Sequence, residues 1–174
     1  MRIVGGRYRG KQLAAPDGLN TRPTTDRARE GLFNILENGV PGFRLPGASV
    51  ADLFAGSGAL GLEALSRGAD SLVLVENDRT ALAVIRQNVG SLKSEDTAKV
   101  KVMKTDASSL PASPSPFDLI LMDPPYHSGL AGPVISKLAT TGWAGAETVI
   151  VVELANDEAV PDNYGCELLK CRSY

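Results

Sequence analysis

Between residues 49 and 154, short and strongly apolar runs alternate with stretches of helical period, and that alternation leaves few folds open. Strands are predicted at 49–54, 71–76, 100–104, 117–122 and 148–154, with helices at 59–67, 79–92 and 130–140 between them. Strands this apolar need cover on both sides. The pattern therefore predicts an α/β fold, a mostly parallel sheet with helices on both faces. Ligands on such sheets bind beyond the carboxyl ends of the strands, so functional residues are sought there.

The run at 117–122 ends in Asp123-Pro124-Pro125-Tyr126. Two prolines stop the hydrogen-bond ladder and stiffen the exit, leaving a carboxylate and an aromatic ring at the strand end. These parts suit a flat base that carries an amino group. A plain strand stop with an ordinary aspartate is the competing reading. His127 follows directly, but a loop histidine more often faces solvent than serves as a base, and Asp123 already supplies an acceptor. Trp143 reads as packing at the end of a helix rather than as a stacking platform for RNA.

Asp52-Leu-Phe-Ala-Gly-Ser-Gly-Ala-Leu-Gly61 closes the run at 49–54. Its glycines permit a tight turn and close approach of a ligand, while Gly61 lets the next helix pack on the sheet. The pattern fits dinucleotides as well as other nucleosides, and Glu76 would accept from ribose hydroxyls in either case. Asp52 sits where a pyrophosphate would want neutral or positive surroundings, and Asp106, with Ala107, adds a third acid at a strand end. Each acid alone is as readily a helix cap or a loop residue. Together they suit a cationic nucleoside such as S-adenosylmethionine.

Residues 1–44 carry eight basic side chains against four acidic ones, a net +4, while the remainder carries −6. A basic arm on an acidic body predicts an anionic partner, with nucleic acid the commonest. Solvation of a hairpin and a helix is the alternative. The arm reads as a Gly-interrupted strand pair over 2–13, a turn at Pro16-Asp17-Gly18, and a helix capped by Thr25 or Asp26 whose buried face holds Ala28, Leu32, Ile35 and Leu36. Charges over 93–104 are expected to decorate a solvated edge. With 43% hydrophobic and 22% charged residues, no apolar run near the roughly 20 needed to span a bilayer, and no signal-peptide pattern, a soluble cytoplasmic protein is expected. Cys166 and Cys171, five apart in an expected strand, point to opposite faces and do not suit a mutual disulfide. Two cysteines and one histidine make no metal-site pattern.

Asp52 through Glu63, Glu76-Asn77-Asp78, Asp106-Ala107 and Asp123-Pro-Pro-Tyr126 resemble, in order, the motifs of class I S-adenosylmethionine-dependent methyltransferases that modify exocyclic amino groups of bases. Arg2-Ile-Val-Gly-Gly-Arg-Tyr-Arg-Gly-Lys11 and the stretch from Thr21 to Asn34 closely resemble the RsmD family, bacterial enzymes that methylate guanine N2 in small-subunit ribosomal RNA. The resemblance covers nearly the whole chain and implies a Rossmann-like fold. It divides the chain into a basic extension over 1–44, hairpin and helix, and a methyltransferase core over 45–174. It also implies roles: Asp52, Phe54, Gly56 and Gly58 beside the methionine and ribose, Glu76 on the ribose hydroxyls, Asn77 on the adenine edge, and Asp106 with Ala107 at the adenine amino group. Asp123, Pro124, Pro125 and Tyr126 would form the catalytic pocket. Arg7, Arg9, Lys11, Arg22 and Arg27 would meet RNA. The family continues after a Tyr-Gly pair into a last antiparallel strand, whereas this sequence stops at Tyr174, so that strand is expected to be missing.

In-line transfer from a sulfonium needs alignment and no metal. Asp123 and the Pro124 carbonyl would take the amino N–H groups and localise the nitrogen lone pair, Asp123 would accept the proton, and Tyr126 would stack on a base drawn out of its helix. A monomer acting on a partly assembled ribosomal subunit is expected, with no membrane partner. The tetrapeptide serves adenine N6 chemistry equally well, and a non-catalytic nucleoside-binding assembly factor is the remaining alternative.

Overall fold

The computed structural model of the chain describes residues 1–15, 25–158 and 165–173. Five strands, β1 (Ser49–Asp52), β2 (Ser71–Glu76), β3 (Val100–Lys104), β4 (Leu119–Met122) and β5 (Val149–Val152), pair in the order β3-β2-β1-β4-β5. Every one of these pairings is parallel. Alternate side chains leave the sheet on opposite sides. Val50, Leu72, Leu74, Leu119 and Leu121 enter one apolar cluster with α1 (Asp26–Asn38), α2 (Ala59–Ser66) and α3 (Arg79–Gly90). Ala51, Val75, Ile120 and Met122 enter a second with α5 (Ala131–Leu138) and Trp143. Asp118 holds β4 in register by accepting from the Ser49 N–H at 2.7 Å and its hydroxyl at 2.8 Å.

The chain builds β1, β2 and β3 outward in one direction, then returns to lay β4 on the other side of β1. The crevice beyond the carboxyl ends of β1 and β4 is thus the point where the strand order reverses, the usual ligand position in an open α/β sheet. Gly61 allows α2 to lie tightly on the sheet. A Cβ there would stand 2.6 Å from Leu74 Cδ2 and 2.9 Å from Leu72 Cδ1.

The amino terminus differs from the expected strand pair. One antiparallel bridge joins Arg2 to Gln12, and a 3-10 turn over Gly6–Tyr8 occupies the middle. Gly6 (φ 70°) and Gly10 (φ 84°) take left-handed backbone that ends the ladder, and a Cβ on Gly6 would fall 2.0 Å from the Ser66 carbonyl oxygen. Ile3 and Leu13 are buried in the cluster that holds α2. Glu63 of α2, fully buried, accepts from the Val4 and Gly5 N–H groups and from Arg67 Nε, each at 2.7 Å.

Helix α1 starts as expected, with the Thr25 hydroxyl accepting from the Ala28 N–H. Its fully buried positions are Arg29, Phe33 and Leu36, a face rotated from the expected one. Arg29 is drawn in because it donates to the Arg2 carbonyl and to Asp26, both at 2.8 Å. The expectation of a solvated edge over 93–104 fails at Asp96. That residue lies in the short helix α4 (Ser94–Thr97), is fully buried, and takes Arg7 Nη1 at 2.7 Å and the Tyr8 hydroxyl at 2.6 Å. Cys166 and Cys171 are exposed and unbridged, and residues 165–173 form no strand. The expected turn at 16–18 and Arg22 lie outside the described residues.

Candidate active site

Four strand ends bring the expected acids to the carboxyl edge of the sheet. Asp52 closes β1, Glu76 closes β2, Asp106 follows β3, and Asp123 follows β4. Asp52 is 1% exposed; its Oδ2 accepts from the Gly61 N–H at 3.0 Å, while Oδ1 has no hydrogen-bond partner among the described residues. Burial pushes its carboxyl up to about 7, and Glu76 adds to the rise. Glu76 Oε2 accepts from the Gly56 N–H at 2.9 Å, and Oε1 accepts from the Asn77 and Asp78 N–H groups at 2.8 Å. This carboxylate therefore shapes the glycine turn as well as facing the crevice.

Gly56 (φ 54°) and Gly58 (φ 81°) both take backbone that glycine alone adopts without strain. The missing side chain of Gly56 would face open space, so the turn leaves room for a ligand against the backbone. Phe54 is half-buried beside it. Asn77 and Asp106 are exposed and meet, with Asn77 Nδ2 donating to Asp106 Oδ2 at 3.1 Å. Asp106 Oδ1 accepts from the Ser108 N–H at 2.8 Å, capping the turn Ala107–Ser109, and its bonds to Ser108 hold the carboxyl below its usual range. Ala107 is buried behind it. Asp106 therefore caps the turn that follows β3, as its alternative reading had it.

Asp123 is half-buried, and desolvation first, then the charges of Glu153 and Asp52, lift it to about 7. Pro124 is buried while Pro125 and Tyr126 are exposed, the latter at 46%. The chain then turns, with the Ser128 N–H donating to the Pro125 carbonyl and His127 at φ 57°. Glu158 fastens this turn by accepting from the His127 N–H at 2.9 Å and from the Ala155 N–H at 2.9 Å. The His127 imidazole is 61% exposed and lies 3.6 Å from Asp157. Trp143 is packed in the core, donating to the Pro111 carbonyl at 2.7 Å and stacking on Phe117.

Sequence reasoning missed Glu153. It follows β5 directly, and its N–H donates to the Met122 carbonyl at 2.8 Å, which sets it beside Asp123. An acid at the end of the run at 148–154 was the available signal.

Of the basic residues, Arg9 and Arg27 line one cleft of about 230 Å³ with Arg2, Asp26 and Glu30. Arg2 is paired there with Asp26 at 2.7 Å. Arg7 is held by Asp96, and Lys11 lies 5.9 Å from the Tyr8 ring centre. Among the described residues, no group of three or more acids, histidines or cysteines suits a metal ion, and no helix is long and apolar enough to cross a membrane.

The family model described as Conserved hypothetical protein 95 matches residues 1–174. The chain belongs to this family. Among its relatives is the ribosomal RNA small subunit methyltransferase D of Escherichia coli strain K12, 40% identical over 162 residues that cover 92% of this chain and 78% of that protein. That match agrees with the RsmD resemblance of the sequence motifs. A solved structure from Haemophilus influenzae is 30% identical, covers 100% of this chain and 92% of its own, and superposes with a TM-score of 0.78. The precorrin-6Y C5,15-methyltransferase of Geobacter metallireducens, 18% identical over 87% of this chain and 72% of its own with a TM-score of 0.60, shares the fold. The family's architecture is the Rossmann-like class I methyltransferase fold.

Proposed function

We propose that this protein transfers the methyl group of S-adenosylmethionine to the exocyclic N2 amino group of a guanine in small-subunit ribosomal RNA. The observation that carries the reading is Asp123, aimed by rigid prolines into the crevice where β1 delivers Asp52, in a chain 40% identical to a ribosomal RNA small subunit methyltransferase D. The donor set fits the cofactor: the unpartnered Oδ1 of a buried aspartate suits a ligand cation, and the open glycine turn admits a nucleoside. Asp52, Phe54, Gly56 and Gly58 would hold its methionine and ribose side, Glu76 the ribose hydroxyls, and Asn77, Asp106 and Ala107 the adenine.

S-adenosylmethionine, when bound, supplies a methyl group already activated on sulfonium. The protein's task is alignment. Asp123 and the Pro124 carbonyl accept the two N–H groups of the base and favour localisation of the nitrogen lone pair. As the base nitrogen took the methyl carbon, the carbon–sulfur bond would break and its electron pair would leave on sulfur as a neutral thioether; the nitrogen would become cationic, and the Asp123 carboxylate would take its proton. The exposed Tyr126 ring stacks on the base, which must leave its helix to arrive there; such stacking is worth about 1–3 kcal/mol. Arg9, Lys11, Arg22 and Arg27 meet the phosphates, with Arg7 at the margin of that surface.

We place the protein in the cytoplasm as a monomer acting on partly assembled subunits. The test is methylation, with labelled S-adenosylmethionine, of ribosomal RNA and small subunits from a strain lacking the protein, followed by mass mapping. One guanine carrying an N2 methyl group is the expected product. Label on adenine N6, or no label, overturns the reading.

A further inference from the structure

Asn88 of α3 is 3% exposed and performs none of the roles above. Its Nδ2 donates to the Ser57 carbonyl at 2.8 Å and to the Ala14 carbonyl at 3.0 Å, and its Oδ1 accepts from the Ala14 N–H at 2.8 Å. Ser57 is the residue between Gly56 and Gly58. Ala14 follows the stretch of the arm that carries Arg7, Arg9 and Lys11, and it precedes Arg22 by eight positions in sequence. One buried amide thus clamps the glycine turn to the basic arm, with both donor positions and its acceptor engaged. A second contact joins the same two segments, since the Ser57 hydroxyl donates to Met1 Sδ at 3.2 Å.

We propose that Asn88 is a positioning residue that ties the cofactor turn to the amino-terminal arm, so that nucleoside cofactor and RNA bind with positive coupling. The inference rests on the methyltransferase reading. A ligand that stills the turn stills Ser57, and through Asn88 it stills Ala14. The arm then loses less freedom when it meets RNA, and reciprocity requires RNA to tighten the cofactor by the same factor. Only a primary amide does this here, because the site presents two carbonyls and one N–H. In Asn88→Asp the side chain keeps its size and its acceptor but sets a carboxylate oxygen against both carbonyls.

Calorimetry with S-adenosylhomocysteine, which does not turn over, measures the coupling with and without small ribosomal subunits from a strain lacking the protein. Wild-type protein is expected to bind the nucleoside about five-fold or more tightly when subunits are present. Asn88→Asp should bring that factor close to one, whereas Asn34→Asp, at an exposed position of α1, should leave it intact. A folded Asn88→Asp protein with an unchanged factor overturns the inference. Should that variant not fold, amide exchange in the wild type decides: the Ala14 N–H must slow on adding the nucleoside, and an unaltered rate overturns the inference. Failure of the wild type to bind S-adenosylmethionine or its product at all sinks the methyltransferase reading itself, which is a different result from binding without coupling.

Discussion

Asp52 and Asp123 sit in one crevice, both lifted to about 7 by burial, and the charge of each weighs on its surroundings. Asp123 must be ionised to take a proton, so methyl transfer should rise with pH through about 7. Glu153→Gln removes the second cause of that rise and should move the midpoint to lower pH; an unmoved profile would show that Glu153 does not face the reaction. Asp123→Ala should abolish transfer while cofactor binding, measured by calorimetry, survives.

Asp52 carries a stability cost of known sign. Its folded carboxyl titrates higher than an unfolded one, so the contribution to stability is full below the usual carboxylate range and is lost as pH rises to about 7. Asp52→Asn keeps the acceptor for the Gly61 N–H and removes the buried charge. It should raise the unfolding free energy more at pH 8 than at pH 5, by roughly 2–4 kcal/mol at the higher value, with the melting temperature following, while weakening cofactor binding. Equal gains at both pH values would contradict the assignment.

Among the elements, α2 does two jobs at its two ends. Its start lies against β1 and β2 through Gly61, and Gly61→Ala gains helix propensity worth about 1 kcal/mol but drives a methyl into Leu72, Leu74 and the Asp52 Cβ 3.3 Å away. Overpacking of a full core costs about 1–3 kcal/mol, so a net loss is expected in thermal denaturation, with cofactor affinity falling as Asp52 is displaced. The later part of α2 presents Glu63 and Ser66 to the arm, where Ser66 Oγ accepts from the Tyr8 N–H and donates to the Gly5 carbonyl. Strands, helices and the acids at strand ends were legible in sequence because their signals are local: β2 and β3 have the bounds expected from apolar runs alone. Glu63, Asn88 and Asp96 were not. Each looks like an ordinary polar position of a helix, and each is buried where it bonds a segment 58 to 89 residues away. The rotated face of α1 has the same origin, since its buried arginine answers a carbonyl of the arm.

At the scale of the whole molecule, charge is divided much as function is. The acidic crevice is the proposed site of a cationic nucleoside, and residues 1–44, with their net +4, are the proposed surface for RNA. Three of those eight basic side chains, Arg2, Arg7 and Arg29, hold acids of the protein, which leaves a handful for phosphate contacts. Binding to protein-free RNA should therefore be weak and fall about ten-fold or more between 50 and 200 mM salt, as expected for a handful of phosphate contacts, and subunits should be the better substrate. Comparable turnover on protein-free RNA at both salt concentrations would contradict this.

The strand order has one more consequence. The half of the crevice proposed for the cofactor, β1 to β3 with α2 and α3, is contiguous in sequence, and the amino-terminal arm is held by those same two helices. The half that carries Asp123, proposed for the base, is added only when β4 returns to β1. Every residue proposed to hold the methyl donor thus precedes Asp123 in the chain, so donor and acceptor sides of the crevice come from successive, separable stretches of sequence.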